Sequence, residues 1–290
     1  MKILILGGSG MLGHKFLQSW ENNHTVKCTL RKEIHFYENN HYFNKGNSIE
    51  NVDVLDRAKL EKVIEDFMPD VLVNCVGVTK QIIDQSKLMH SIYINSYLPH
   101  TLKAICEKHS IRLILMSTDC VFSGDKGFYK EDDISDARDI YGKTKSLGEV
   151  DSEGVLTLRK STVGLEIYKK HGLIEWFLSQ KKIVNGYSKV IYSGVTSQGL
   201  ANIIDTILID YPNMSGIYNI ASKPISKYTL LSALNERLNN ILDIRSDDTV
   251  VCDRSLDPYK FQNDTRIQVK GWGVMLDELA EEIKLRKHDT

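Results

Sequence analysis

The stretch KILILGGSGMLG, residues 2–13, decides the fold. After Lys2 its first part is an unbroken apolar run, the pattern of a short strand covered on both faces, as in a parallel sheet. The run stops at glycines. Gly7, Gly10 and Gly13 recur every third residue, and the amphipathic segment MLGHKFLQSWE follows. A strand, a glycine-rich turn and a helix in that order let a backbone approach a pyrophosphate at a helix N-terminus. The same pattern also serves a tight β–α turn that binds nothing, so the context must choose between the two.

Outward from that turn the alternation continues. VKCTL precedes the helical pattern RAKLEKVIEDF, and VLVNCV precedes SIYINSYLPHTLKAICEKH, which leads to RLILMS. Apolar strands separated by helices predict an α/β fold, a Rossmann-type doubly wound parallel sheet. VLTLR (155–159), TSQGLANIIDTILID (196–210) and GIYNIA (216–221) read as two further strands and a helix of the same sheet. Residues 1–160 plus 196–221 are therefore expected to form the dinucleotide-binding domain. Residues 161–195 plus 222–290 are expected to form a smaller, mixed substrate lobe, with helices at 226–239 and 274–286.

The chain has 290 residues, 42% hydrophobic and 26% charged, with a formal net charge of −1. That composition predicts a globular chain without the basic footprint of a nucleic-acid binder. Five cysteines, scattered and without a CxxC pair, read as reduced thiols rather than a disulfide frame or a zinc site. No apolar run approaches the roughly 18 residues of a membrane span. A cytoplasmic protein, monomeric or homodimeric, is expected.

The end of the second strand selects the cofactor. An NAD site wants a carboxylate there for the ribose hydroxyls. This chain has Arg31 and Lys32, which suit a 2′-phosphate, although Glu33 follows directly. NADP(H) is favoured, with NAD(H) the alternative. Asp53 stands at the expected end of the third strand, where a carboxylate accepts from an adenine amino group or caps a helix. In NCVG (74–77), Gly77 leaves room for a cofactor against the backbone.

The fifth strand ends in Ser117, Thr118 and Asp119, at the edge where open α/β sheets place ligands. In RDIYGKTKSLGEV (138–150), Tyr141 and Lys145 lie four apart on one face of a helix. A surface helix with solvated charges would look the same. The ordered set GxxGxxG, NxxG, a hydroxyl after strand five and YxxxK resembles the extended short-chain dehydrogenase/reductases. STDCVFSG, DIYGKTKSLGE and LTLR resemble, within them, the dTDP-4-dehydrorhamnose reductases. The resemblance implies cofactor contacts from Gly7, Gly10, Met11, Leu12, Gly13, Arg31, Lys32, Asp53, Val54, Cys75, Val76, Gly77, Tyr141 and Lys145. It implies that Tyr141 gives a proton to a sugar carbonyl, that Thr118 polarises that carbonyl, and that Lys145 binds the nicotinamide ribose. An ammonium beside a phenol is expected to lower the phenol's pKa. Asp119 matches a substrate-binding acid, or else caps the strand end. Dehydratases of this superfamily carry Glu after that Asp; here Cys120 follows, which removes the base for elimination.

Asn95 matches the family's helix asparagine, whose main-chain carbonyl holds a relay water near the lysine. Pro99, four residues on, has no N–H for that carbonyl. A helix kink is a compatible reading of the same proline. Beyond the sixth strand, HGLIEWF resembles reductase relatives of surface-polysaccharide pathways, and Arg254 in VCDRSLDPYKF is a candidate for the substrate diphosphate or an interior salt bridge. Trp176 and Trp272 read as core. The implied activity is NADPH-dependent reduction of the 4-keto group of a dTDP- or UDP-linked 4-keto-6-deoxyhexose. A sugar-nucleotide 4-epimerase, and a non-catalytic subunit like the methionine adenosyltransferase regulatory subunit, are the alternatives.

Overall fold

The computed structural model describes residues 1–37, 41–79, 87–168 and 170–288. Six strands follow in chain order: β1 (Lys2–Leu6), β2 (Thr25–Thr29), β3 (Ser48–Ile49), β4 (Val71–Asn74), β5 (Arg112–Met116) and β6 (Val155–Arg159). Further strands come next: β7 (Thr162–Val163), β8 (Ile183–Tyr187), β9 (Val190–Tyr192) and β10 (Val195–Thr196), and then β11 (Gly216–Asn219), β12 (Ile225–Ser226), β13 (Asp243–Asp247) and β14 (Cys252–Asp253). The main sheet has seven parallel strands in the order β11-β6-β5-β4-β1-β2-β3. The order reverses between β1 and β4, the switch point at which doubly wound sheets form their ligand crevice.

The alternation of side chains explains the unbroken apolar runs. Ile3 and Ile5 of β1 enter one core with Phe16, Leu17 and Trp20 of α1 (Met11–Trp20), whereas Leu4 and Leu6 enter a second core with Leu60 and Ile64 of α2 (Arg57–Phe67). Each buried Leu or Ile contributes roughly 1.5–3 kcal/mol, so neither face tolerates a polar strand residue.

The helix expected over SIYINSYLPHTLKAICEKH is interrupted. α3 (Leu88–Ile92) passes into a π-helical turn, Tyr93–Tyr97, before α4 (Leu98–Lys108), and the Leu98 N–H bonds the Tyr93 carbonyl one residue further back than in an α-helix. Pro99 cannot donate to Asn95, and the ladder loosens just ahead of it. α5 (Ile140–Leu147) and α6 (Leu173–Ser179) follow, and α7 (Ser197–Asp210) is capped by Thr196. α8 (Lys227–Arg237), α9 (Tyr259–Thr265) and α10 (Trp272–His288) complete the chain.

Three small sheets lie outside the main one: β8 with β13, β12-β9-β14, and β7 with β10. Trp272 is buried, as expected, and its indole donates to the Lys223 carbonyl. Trp176 is 41% exposed, against expectation. It lies on the outer face of α6, whose Ile174 and Phe177 take the core positions. All five cysteines are free. Among the described residues, no helix is long and apolar enough to cross a membrane.

Candidate active site

The glycine turn is built by close contacts. A Cβ on Gly13 would lie 2.2 Å from the Gly7 carbonyl oxygen, and Gly7 itself has φ +83°. Gly8, not singled out from the sequence, is as tightly placed, 2.4 Å from Cys28 Sγ by the same measure. The Gly7 and Gly8 N–H groups donate to Thr29 Oγ1 and the Thr29 carbonyl, which joins the turn to the end of β2. Gly10 is the N-cap of α1 and supplies no side-chain cap, and no acid occupies the first turn. The N–H groups at Met11 and Leu12 therefore suit an anion, and the turn fits a dinucleotide pyrophosphate.

Arg31 and Lys32 are exposed just beyond β2, and Lys32 lies over the Phe36 ring. Arg31 has no hydrogen-bond or ion-pair partner among the described residues. Asp53 is placed differently from expectation. β3 ends at Ile49, and the Asp53 carboxylate accepts from Leu55 N–H, while Asp56 caps α2. Val54 is buried beside it.

After β4, Asn74 Oδ1 accepts from Val76 N–H, and the Cys75 thiol is pushed up to about 12 by burial. The Asn95 side chain grips the backbone just past Gly77. Its Oδ1 accepts from Val78 N–H at 2.9 Å, and its Nδ2 donates to the Val78 carbonyl at 3.0 Å and to Thr144 Oγ1 at 3.2 Å. Its main-chain carbonyl backs onto Gly148, where a Cβ would lie 1.9 Å from the oxygen. Asn95 thus ties the loop after β4 to α5.

α5 begins at an Asp139 cap and lies against the end of β5. Gly142 permits this approach, since a Cβ there would meet the Cys120 carbonyl oxygen at 2.1 Å. The contact carries Tyr141 towards the end of β5, where Thr118 stands. The acidity of Tyr141 corrects the sequence expectation. Burial pushes the phenol above its usual value, the negative groups around it add to this, and Thr118 opposes it. Lys145 Nζ instead donates to the Met116 carbonyl at 2.6 Å. The Lys145 ammonium falls to about 8, first through burial and then through Lys160, with Glu149 and Cys75 opposing.

Asp119 is buried, accepts from Thr118 Oγ1 at 3.0 Å and is pushed up by burial. Arg254 comes to the same place from β14. Its Nε donates to the Phe122 carbonyl at 2.9 Å, and Nη1 lies 3.9 Å from Cys120 Sγ. Among the described residues it makes no salt bridge.

Several groups here were not foreseen. Lys160 follows β6 directly, at the same strand-end edge that drew attention to Thr118, and that position is the signal that could have found it. Beneath Thr118, Ser117 Oγ donates to Glu149 at 2.5 Å, and Arg159 holds both oxygens of Glu149 at 2.9 and 2.7 Å. Both charged side chains are buried. This pair locks β5, β6 and the end of α5 together.

Known proteins resemble this chain in sequence and in fold. A methionine adenosyltransferase 2 subunit beta from Xenopus laevis is 24% identical over 257 residues, covering 82% of this chain and 72% of that protein. A dTDP-4-keto-6-deoxy-D-glucose reductase from Streptomyces niveus is 31% identical over 148 residues, half of this chain and 45% of its own. The structure of a dTDP-4-dehydrorhamnose reductase from Bacillus anthracis, solved in complex with NADP, superposes with a TM-score of 0.78 at 15% identity, covering 97% of this chain and 99% of that one. With a family model matching residues 1–165, through the glycine turn, the Ser117–Asp119 strand end and the Tyr141–Lys145 helix, the chain belongs to the RmlD substrate binding domain family.

Proposed function

We propose that this protein is a reductase that uses NADPH to reduce the 4-keto group of a nucleotide-linked 4-keto-6-deoxyhexose. The observation that carries the reading is the approach of α5, with Tyr141 and Lys145, to Thr118 and Asp119 at the carboxyl end of β5, on the same edge as the glycine turn. The turn at Gly10–Gly13 would hold the pyrophosphate of NADPH and Arg31 its 2′-phosphate, and the cofactor so held would supply the hydride. The Tyr141 phenol, held in its protonated form by burial, donates the proton that the new alkoxide needs. Thr118 Oγ1 hydrogen-bonds the carbonyl oxygen and polarises it. Lys145, an ammonium near neutral pH, sits one helical turn from Tyr141 and would bind the nicotinamide ribose. Asp119 faces the sugar, Arg254 is the candidate for the substrate diphosphate, and residues 161–195 and 222–290 serve as the substrate lobe. Cys120, in place of the dehydratase glutamate, disfavours elimination. A cytoplasmic role in making sugars for surface polysaccharides accords with this chemistry.

The test is NADPH oxidation by the purified chain with dTDP- and UDP-linked 4-keto-6-deoxyhexoses. Tyr141→Phe is expected to lose about 10²–10⁴-fold in turnover with NADPH affinity unchanged. Wild-type turnover in that variant would remove Tyr141 as the acid. The kinship with a methionine adenosyltransferase subunit supports a second reading, a non-catalytic regulatory subunit. That reading predicts NADPH binding without net oxidation on any of these sugars. A 4-epimerase would interconvert sugars, also without net oxidation.

A further inference from the structure

The helix that carries Tyr141 and Lys145 is too short to hold itself. α5 has 8 residues, and isolated helices shorter than about 12–15 residues are marginal in water. Its last four carbonyls, those of Thr144, Lys145, Ser146 and Leu147, lack the donor that a longer α-helix would supply. Two are met by the chain itself as the last turn tightens: Gly148 N–H donates to Lys145 and Glu149 N–H to Ser146, both at 3.1 Å. The other two are met from outside. Ser96 Oγ donates to the Thr144 carbonyl at 2.8 Å, and His100 Nε2 bonds the Leu147 carbonyl at 2.8 Å. A carbonyl only accepts, so the His100 ring is the donor and carries a proton on Nε2.

Ser96 and His100 stand four apart, one at the end of the π-helical turn and the other in α4, and so share a face. Gly148 lets that face close on α5, since a Cβ there would lie 1.9 Å from the Asn95 carbonyl oxygen and 3.2 Å from Pro99 Cγ. Beside Ser96, Asn95 Nδ2 donates to Thr144 Oγ1 at 3.2 Å, and that hydroxyl donates to the Tyr141 carbonyl at 3.0 Å. Thr144 precedes Lys145 directly and is buried, as is Ser96. It is therefore gripped twice, at its main chain by Ser96 and at its side chain by Asn95. Lys145 is fixed at its far end on the Met116 carbonyl. An ordinary surface helix leaves its carbonyl end to water, whereas this one is fastened to its neighbour.

We propose that Ser96 and His100 are positioning residues. They hold the carbonyl end of α5 and thereby fix where Tyr141 and Lys145 stand against the end of β5. They act through the helix and not on a ligand. The inference rests on the reductase reading for what Tyr141 and Lys145 do; the holding itself is independent of that reading.

The full chain carrying Ser96→Ala and His100→Leu together tests it in two measurements. Hydrogen exchange of the α5 amides reads the holding. Each lost bond is expected to speed exchange in the last turn roughly two- to tenfold, and replacing the leucine by glutamine, which keeps an N–H donor, is expected to recover the His100 share. NADPH oxidation, measured well below the melting point of the variants, reads the positioning. Turnover is expected to fall roughly tenfold or more, again with partial recovery by His100→Gln. A merely structural role would lower Tm and leave turnover at the wild-type value. Unchanged exchange in α5 overturns the holding. Faster exchange with wild-type turnover, or glutamine no better than leucine, overturns the positioning. A wild-type chain that oxidises no NADPH sinks the reductase reading alone, and the positioning is then read from binding. The double variant should lose affinity for NADPH but not for adenosine 2′,5′-bisphosphate, which lacks the nicotinamide ribose expected at Lys145. Equal losses for the two ligands, or none, overturn the positioning in that case.

Discussion

Gly142→Ala sets two ordinary effects against each other. In the middle of a helix alanine is favoured over glycine by about 1 kcal/mol. Here a Cβ would lie 2.1 Å from the Cys120 carbonyl oxygen and 2.5 Å from the Ala137 Cβ. Carbon and oxygen rest no closer than about 3.3 Å, so the shortfall is roughly 1 Å. The nearest obstacle is main chain, in the short 3-10 turn Asp119–Val121, and cannot swing away as a flexible side chain would. Overpacking of this kind costs about 1–3 kcal/mol, and the upper part of that range applies. The clash outweighs the propensity, and the variant is expected to lose about 1–2 kcal/mol, a fall of several degrees in Tm. Relief requires α5 to retreat by about 1 Å, carrying Tyr141 away from Thr118. A displacement of that size costs on the order of 100-fold in turnover. The assay pairs a thermal melt with NADPH oxidation. Gly273→Ala is the control, because that glycine lies in α10 with nothing within 4 Å of its Cβ position, and it should melt no earlier than wild type. The reasoning is refuted if Gly142→Ala melts at or above wild type and turns over normally.

Three further outcomes are expected. Arg31→Ala should weaken NADPH much more than NADH in a fluorescence titration; equal losses would move the phosphate site elsewhere. Arg159→Met leaves the buried Glu149 carboxylate with Ser117 alone and should cost about 3–5 kcal/mol in chemical denaturation, whereas a change below about 1 kcal/mol would show that the pair is dispensable. His14 is 2% exposed, bonds the Gly10 carbonyl at 2.8 Å and is held down to about 4 by burial. Its folded pKa lies below its unfolded value, so the native state binds fewer protons in that window and stability falls as pH drops from 6.5 towards 4. The loss at full effect is about 3 kcal/mol, and His14→Gln should flatten that part of a melt-against-pH series.

The sequence alone determined the doubly wound parallel sheet, the glycine turn and the Tyr141–Lys145 helix. Each is written locally: all-apolar runs such as KILIL belong to strands covered on both faces, and glycines belong where a Cβ would strike a carbonyl. It also placed Thr118 and Asp119 at a strand end, because order along a parallel sheet puts every strand end on one edge. The tertiary structure decided what stands around them. Arg254 and Lys160 come from separate stretches, and no periodicity tells that Arg254 reaches the Phe122 carbonyl and Cys120, or that the Lys160 carbonyl accepts from Asp119 N–H. The acidity of Tyr141 reversed the expected direction because burial depends on what packs over a residue, and a neighbour one helical turn away does not measure that. Trp176 came to the surface for the same reason, since α6 had other apolar residues for the core. Pairing rules and helical periods are properties of a few adjacent residues and can be read from them. Desolvation and long-range contact belong to the packed chain, and only the folded structure contains them.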